Sequence, residues 1–250
     1  MNRTYPTMAA LTLLLCLSNA NAATLEDARQ AIEAHDFKTA STIYHELADQ
    51  GDAKAQYNLG LMYSRGDGVK QNYNEALKWY RLSAEQGFAE AQYNAGIILL
   101  RPEWVKPDYA ESIKWYTKAA EQGHLRSQVA LGVAYLRGEV VRYDPEAAQK
   151  WFTTAAEQGD KEAQFDLSSM YLELEGPDRN MVLGYMWLLI SSDAAHGEAK
   201  RNYKAEKRIR FVESKMTPEQ IAEGKKLAQE CVAMQLKGCA ANPFKAVAAS

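Results

Sequence analysis

Cys231 and Cys239 are the residues of this chain best placed for covalent chemistry, and the chemistry they suggest is a crosslink. Two cysteines this close together near the C-terminus close a small loop as a disulfide in an oxidising compartment; the alternative is two unpaired thiols. Their spacing lacks the paired C-x-x-C units of a zinc site, and no histidine lies near them in sequence. His35, His45, His124 and His196 stand far apart, none at helical metal-ligand spacing, and read as ordinary surface or boundary histidines. There is no Gly-x-Ser-x-Gly elbow and no phosphate-binding glycine loop. Carboxylates are abundant but recur as helix caps and solvated faces. The expectation is no catalytic residue, no metal site and no cofactor.

Composition narrows the partners. The chain has 250 residues, 47% of them hydrophobic and 24% charged, enough for a substantial core. Lys plus Arg is 29 against 32 Asp plus Glu, a balance of −3 that argues against nucleic-acid wrapping over the whole surface. Residues 1–22 read as a signal peptide: Arg3 opens a positive region, Met8 to Leu17 is apolar, and Ala20-Asn-Ala22 offers the small residues that signal peptidase reads. The apolar run is about half the twenty residues a spanning helix needs, so no membrane span is expected in the mature chain. Cleavage removes Arg3 and Cys16 and points to a periplasmic or secreted protein.

The elements that must position any site come from a repeat of 36 residues. Trp79, Trp115, Trp151 and Trp187 fall in one column, Gln56, Gln92, Gln128 and Gln164 in another, Gly51, Gly87, Gly123 and Gly159 in a third. Such a period signals a helical solenoid. Each unit reads as two antiparallel helices. In the first, Ala55, Leu59, Met62 and Tyr63 mark a helical stripe over about Asp52 to Ser64, and the recurring Gly60, Gly96 and Gly132 imply the close approach of a partner backbone. The second helix starts on Asn72, Asp108, Asp144 or Asn180 as N-cap, with Glu75 and Glu111 placed to complete capping boxes and Pro145 at the first helical position. It buries Ala76, Trp79, Tyr80 and Ser83, and Gly87 ends it in the left-handed conformation. The indoles in register are expected to form a continuous seam between units, so that Trp115→Ala costs roughly 3–5 kcal/mol.

The division that follows is residues 1–22 signal peptide, 23–50 an opening helix pair, 51–197 four repeats (51–86, 87–122, 123–158, 159–197), 198–239 closing helices and 240–250 a tail. The fourth unit replaces the helical glycine by Ser168. Ala205, Ile209, Val212 and Met216 form one more stripe, and Thr217-Pro-Glu-Gln220 supplies N-cap, N1 and N3 of a last helix.

Gly51-Asp-Ala-Lys-Ala-Gln-Tyr-Asn-Leu-Gly-Leu-Met-Tyr63, followed by Glu75-Ala-Leu-Lys-Trp-Tyr-Arg-Leu-Ser-Ala-Glu-Gln-Gly87, resembles a Sel1-like repeat, the longer relative of the tetratricopeptide repeat. The resemblance implies an all-α, right-handed solenoid of antiparallel helix pairs that serves as a scaffold for protein contacts, in a family that includes exported bacterial proteins. A cysteine-rich branch has been described as β-lactamases or penicillin binders. Here the repeats contain no cysteine, and the Ser-x-x-Lys and Lys-Thr-Gly signatures of serine β-lactamases are absent. The expectation is a non-enzymatic periplasmic adaptor that binds a protein or peptide; the alternatives are a secreted effector that engages host proteins, and an enzyme acting on cell-wall peptide or β-lactam.

In related arrays the first helix of each unit lines the concave side. Counting from the Leu-Gly pair selects Tyr57, Asn58 and Leu61, then Tyr93, Asn94 and Ile97, then Arg126, Val129 and Val133. The asparagines can hydrogen-bond an extended peptide, and the tyrosines offer flat apolar area with a polar tip. Packing between neighbouring units is the competing reading. Trp104 is the one tryptophan out of register, in Arg101-Pro-Glu-Trp-Val-Lys-Pro107, where the first unit carries the flexible Arg65-Gly-Asp-Gly68. Either its ring folds back over the adjacent helix or it anchors a partner. Glu198 to Lys215 holds a surplus of basic residues, either a solvated face or a dock for an acidic partner or lipid head groups.

Overall fold

The computed structural model describes residues 23–173, 180–192 and 203–239. The segment expected to be a signal peptide, residues 198–202 and the tail from 240 lie outside the described residues. Twelve helices and no strand are found among those described. The chain divides into two compact units at Pro107 and Asp108.

The first unit contains α1 (Leu25–Glu33), α2 (Phe37–Asp49), α3 (Ala53–Arg65), α4 (Tyr73–Glu85) and α5 (Ala89–Leu99). Each helix packs on the next. Ala28, Ala40, Tyr44, Ala48, Ala55, Leu59, Met62 and Trp79 form a continuous core through α1 to α4. The second unit contains α6 (Tyr109–Glu121), α7 (Leu125–Arg137), α8 (Pro145–Ala156), α9 (Lys161–Glu173), α10 (Met181–Ser191), α11 (Tyr203–Glu213) and α12 (Pro218–Ala233).

The columns acquire their physical reasons. Gly51, Gly87, Gly123 and Gly159 all have φ between +87° and +91°, the left-handed region that L side chains avoid, and each ends a second helix. The glutamines are buried and bridge units: Gln56, Gln92, Gln128 and Gln164 donate Nε2 to the carbonyls of Ala48, Ala84, Ala120 and Ala156, at 3.0–3.2 Å. Each adds a side-chain donor to a carbonyl at the end of the preceding helix that also accepts the amide of Gly51, Gly87, Gly123 or Gly159 at 3.0 Å, so both lone pairs of a buried acceptor are used. Gln86 and Gln158 close the arrangement by donating to the Oε1 of Gln56 (2.8 Å) and Gln128 (2.9 Å).

Three expectations are corrected. What approaches the helical glycines is an aromatic ring of the same hairpin: a Cβ on Gly60 would stand 2.6 Å from the Tyr80 ring, and one on Gly132 2.6 Å from the Phe152 ring. In the fourth unit Ser168 instead donates Oγ to the carbonyl of Gly184 (2.7 Å). The N-caps form, but the capping boxes at Glu75 and Glu111 do not. The amide of Asn72 already donates to the Tyr63 carbonyl (2.9 Å), and Glu111 accepts the indole N–H of Trp115 (2.9 Å). Nor is the indole column uniform. Trp79, Trp115 and Trp187 are buried whereas Trp151 is half-exposed, and the deepest ring of its helix is Phe152.

Helix α10 ends the repeats. Every residue from Leu183 to Ile190 is buried, so this helix lacks the polar face of its counterparts and is covered by α9, α11 and α12. Thr217 and Gln220 form the expected capping box with Pro218 at the first position of α12. Cys231 and Cys239 are joined by a disulfide, which closes the chain beyond α12 into a short loop whose sulfurs belong to the core around Trp187. Val212 is buried, Ile209 and Met216 pack against the same core, and the side chain of Ala205 lies outside those described.

Asp166 on α9 gives the second unit a pH response. Burial, reinforced by Glu162 and Asp160, pushes its carboxyl from 3.8 up to about 6, against a smaller opposing pull from Arg137. The folded state therefore binds this proton more tightly than the unfolded chain, so its contribution to stability falls as pH rises from about 4 to about 6 and stays low above. Asp166→Asn is expected to raise Tm relative to the parent at about pH 7.5, with the difference closing near pH 4. Thermal unfolding of the two proteins across that range checks this; a variant less stable at pH 7.5 contradicts it.

Candidate interaction cleft

Two first helices and the loop after the second enclose a cleft of about 250 Å³ in the first unit. The last turns of α3 supply Leu61, Ser64 and Arg65, α4 supplies Tyr73 and Tyr80, α5 supplies Asn94, Ile97 and Ile98, and Trp104 closes one side. Arg101-Pro-Glu-Trp-Val is held as a turn: the amides of Trp104 and Val105 both donate to the Arg101 carbonyl, and Val105 is buried beneath. The Trp104 ring stacks on Tyr73 with centroids 4.5 Å apart and planes 10° from parallel, and the Arg101 guanidinium lies 5.6 Å from the indole centroid. The ring thus folds back over the adjacent helix and, in doing so, becomes a wall of the cleft.

The opposite loop is also fixed. Gly66 and Asp67 donate their amides to the Met62 carbonyl, and Gln71 Nε2 donates to the Ser64 carbonyl (2.8 Å), so the Arg65–Gly68 segment read as flexible is a hydrogen-bonded turn. At the base of the cleft, burial pushes the Tyr80 phenol up to about 12, with hydrogen bonds to Ser64 and Asn94 pulling the other way. Tyr80 is therefore neutral at any physiological pH and can act only as a hydrogen-bonding group. The lining includes neither a carboxylate nor a histidine. Shape and hydrogen bonding are what it offers a ligand.

Of the residues selected by sequence, Leu61, Asn94, Ile97 and Trp104 meet in this cleft. Tyr57 does not line it; its ring stands 5.0 Å from Phe88 and 6.0 Å from Tyr80, filling the junction of α3, α4 and the start of α5. Asn58 and Tyr93 are half-buried on the same helices, outside the lining. In the second unit Arg126 is exposed on α7, while Val129 and Val133 pack against the core. Ser64, Arg65, Tyr73, Tyr80 and Ile98 escaped the sequence count, which followed only one stripe of the first helices. The signal for Tyr80 was its place beside the tryptophan column.

Other candidates for chemistry are engaged in structure. His45 shares a hydrogen bond with the Tyr63 hydroxyl (3.1 Å), and His124 is the N-cap of α7. In the basic segment, Arg208 donates to Ser169 Oγ (2.9 Å) and pairs with Glu173 (3.3 Å), and Arg210 pairs with Glu206 (3.2 Å). Among the described residues no group of three His, Cys, Asp or Glu could hold a metal ion, and no helix is long and apolar enough to cross a membrane.

Comparison with protein families matches the Sel1 repeat at residues 53–88, 89–124, 125–160 and 161–196. The chain belongs to the Sel1 repeat family. Among solved structures, this Sel1 repeat protein is similar to a Sel1 repeat protein from Oxalobacter formigenes, at 29% identity and a TM-score of 0.63 over 70% of this chain and 72% of that one. It is also similar to a protective antigen present in uropathogenic Escherichia coli strains that displays an SLR fold, at 31% identity and a TM-score of 0.62. That match covers 81% of this chain but only 42% of the antigen. No curated protein matches the chain. Sel1 repeat proteins generally mediate protein–protein interactions.

Proposed function

We propose that this Sel1 repeat protein is a non-enzymatic adaptor of the bacterial periplasm that captures a segment of a partner protein in the cleft walled by Trp104. One observation carries the reading: Leu61, Asn94, Ile97 and Trp104, which come from three separate elements, converge on a single cleft whose walls are held by stacking and turn hydrogen bonds. A wall fixed before binding costs little entropy when a ligand arrives. The compartment rests on the signal-peptide pattern of residues 1–22 together with the Cys231–Cys239 disulfide, since disulfides persist where the surroundings are oxidising.

Crosslinked pulldown from the native envelope, read by mass spectrometry, tests both parts. The parent protein is expected to recover a specific partner from the periplasmic fraction, and Trp104→Ala to recover at least tenfold less, because a buried aromatic anchor contributes about 2 kcal/mol or more to binding. The variant must keep the parent's Tm to within a few degrees. Equal recovery by a folded Trp104→Ala protein overturns the cleft as the binding surface, and recovery confined to the cytosol overturns the compartment.

A further inference from the structure

The cleft has a charge as well as a shape, and the charge is one-sided. Arg65 is the only ionised side chain in its lining; it sits exposed at the rim on the last turn of α3 and has no carboxylate partner among the described residues. Arg101 adds a second guanidinium beside Trp104. Its carboxylate partner among the described residues, Glu103, is 3.7 Å away with both side chains more than half exposed, a pairing that water screens strongly. Behind Arg65 the lining turns apolar through Leu61, Ile97 and Ile98, and Asn94 reaches in from α5.

We infer that the occupant is an extended segment of a partner protein carrying an acidic side chain two positions from a branched aliphatic one. This inference rests on the cleft being the binding surface. Leu61 and Arg65 stand four residues apart on α3, about 6 Å along the helix axis, and in an extended chain residues two apart project on the same side about 7 Å from each other, so one segment can offer a carboxylate to Arg65 and an aliphatic group to Leu61. One face of Trp104 is covered by Tyr73 and the Arg101 guanidinium also lies over the ring, so the indole is a wall and not a stacking platform for a ligand aromatic. The acid belongs to a side chain and not to a chain end. A terminal carboxylate is held by convergent backbone amides, whereas the charged groups here are exposed guanidinium side chains, Arg65 in the lining and Arg101 beside Trp104.

The test uses the full mature chain and a blocked probe, acetyl-Gly-Glu-Ser-Ile-Ser-Glu-Gly-amide, titrated into isotope-labelled protein by NMR. One comparison peptide has both Glu replaced by Gln; another is the Gln peptide ending in a free carboxylate after Ile. The Glu peptide is expected to bind at least tenfold tighter than its Gln analogue, with shifts at Asn94, Ile97 and Trp104. In Arg65→Gln that preference falls below threefold while the Gln peptide binds as before. Lys38→Gln, an exposed change on α2, leaves the preference intact. Equal binding of Glu and Gln peptides, a preference that survives Arg65→Gln, or tighter binding of the free-carboxylate peptide each overturns the inference while leaving the cleft as a binding surface. Absence of shifts in the cleft with every peptide overturns it too. The pulldown with Trp104→Ala then decides separately whether the cleft itself stands.

Discussion

Phe152→Ala is expected to lose about 3–5 kcal/mol of folding stability, the cost of deleting a large aromatic from a packed core. Its ring is fully buried and lies against the backbone of α7 at Gly132, where a Cβ would stand 2.6, 2.7 and 2.8 Å from three ring atoms. The same geometry fixes the sign of the reciprocal change. Gly132→Ala gains about 1 kcal/mol of helix propensity. It loses about 1–3 kcal/mol to overpacking, because a fully buried ring has nowhere to retreat, so the variant is less stable on balance. Together the two substitutions relieve one another, since the added methyl occupies space the ring has left. The double variant should be more stable than the sum of the single losses implies by about 1 kcal/mol or more. Urea unfolding followed by circular dichroism measures all three. Additivity to within about 0.5 kcal/mol would contradict the contact.

Trp187→Ala and Trp151→Ala change the same repeat position and should differ widely in effect. Trp187 is fully buried in the core shared by α8, α9, α10 and the closing helices, and its truncation is expected to cost about 3–5 kcal/mol. Trp151 is half-exposed, with the Lys150 ammonium 6.0 Å from its ring, and its loss should cost about 1–2 kcal/mol. Denaturant midpoints of the two variants decide this. Equal losses would restore the uniform indole seam that the repeat columns suggest.

The column of tryptophans shows what was legible in the sequence and what was not. Repetition reveals which positions matter, and at Gly51, Gly87, Gly123 and Gly159 residue type alone explains why, since a left-handed backbone selects glycine. The glutamine column was equally visible, but its partners are backbone carbonyls eight positions upstream, and a backbone acceptor leaves no mark on residue type. The capping box at Glu75 failed for the same reason. Glu75 stands at the right spacing, yet the amide it would accept from is taken by the Tyr63 carbonyl across the hairpin. At the cleft, Trp104 was conspicuous because it breaks register. Tyr73 and Arg65 were not, because one reads as the start of a helix and the other as its basic end, and only the hairpin geometry turns both toward the same space.

A role for the cleft requires that a partner touch the protein there. A photoreactive amino acid placed at Ile97, inside the cleft, and separately at Lys38, exposed on α2, asks this directly in living cells. Illumination is expected to yield a discrete crosslinked partner from position 97, competed away by the Glu peptide, and none from position 38. A partner that crosslinks from position 38 and not from position 97 would contradict the account.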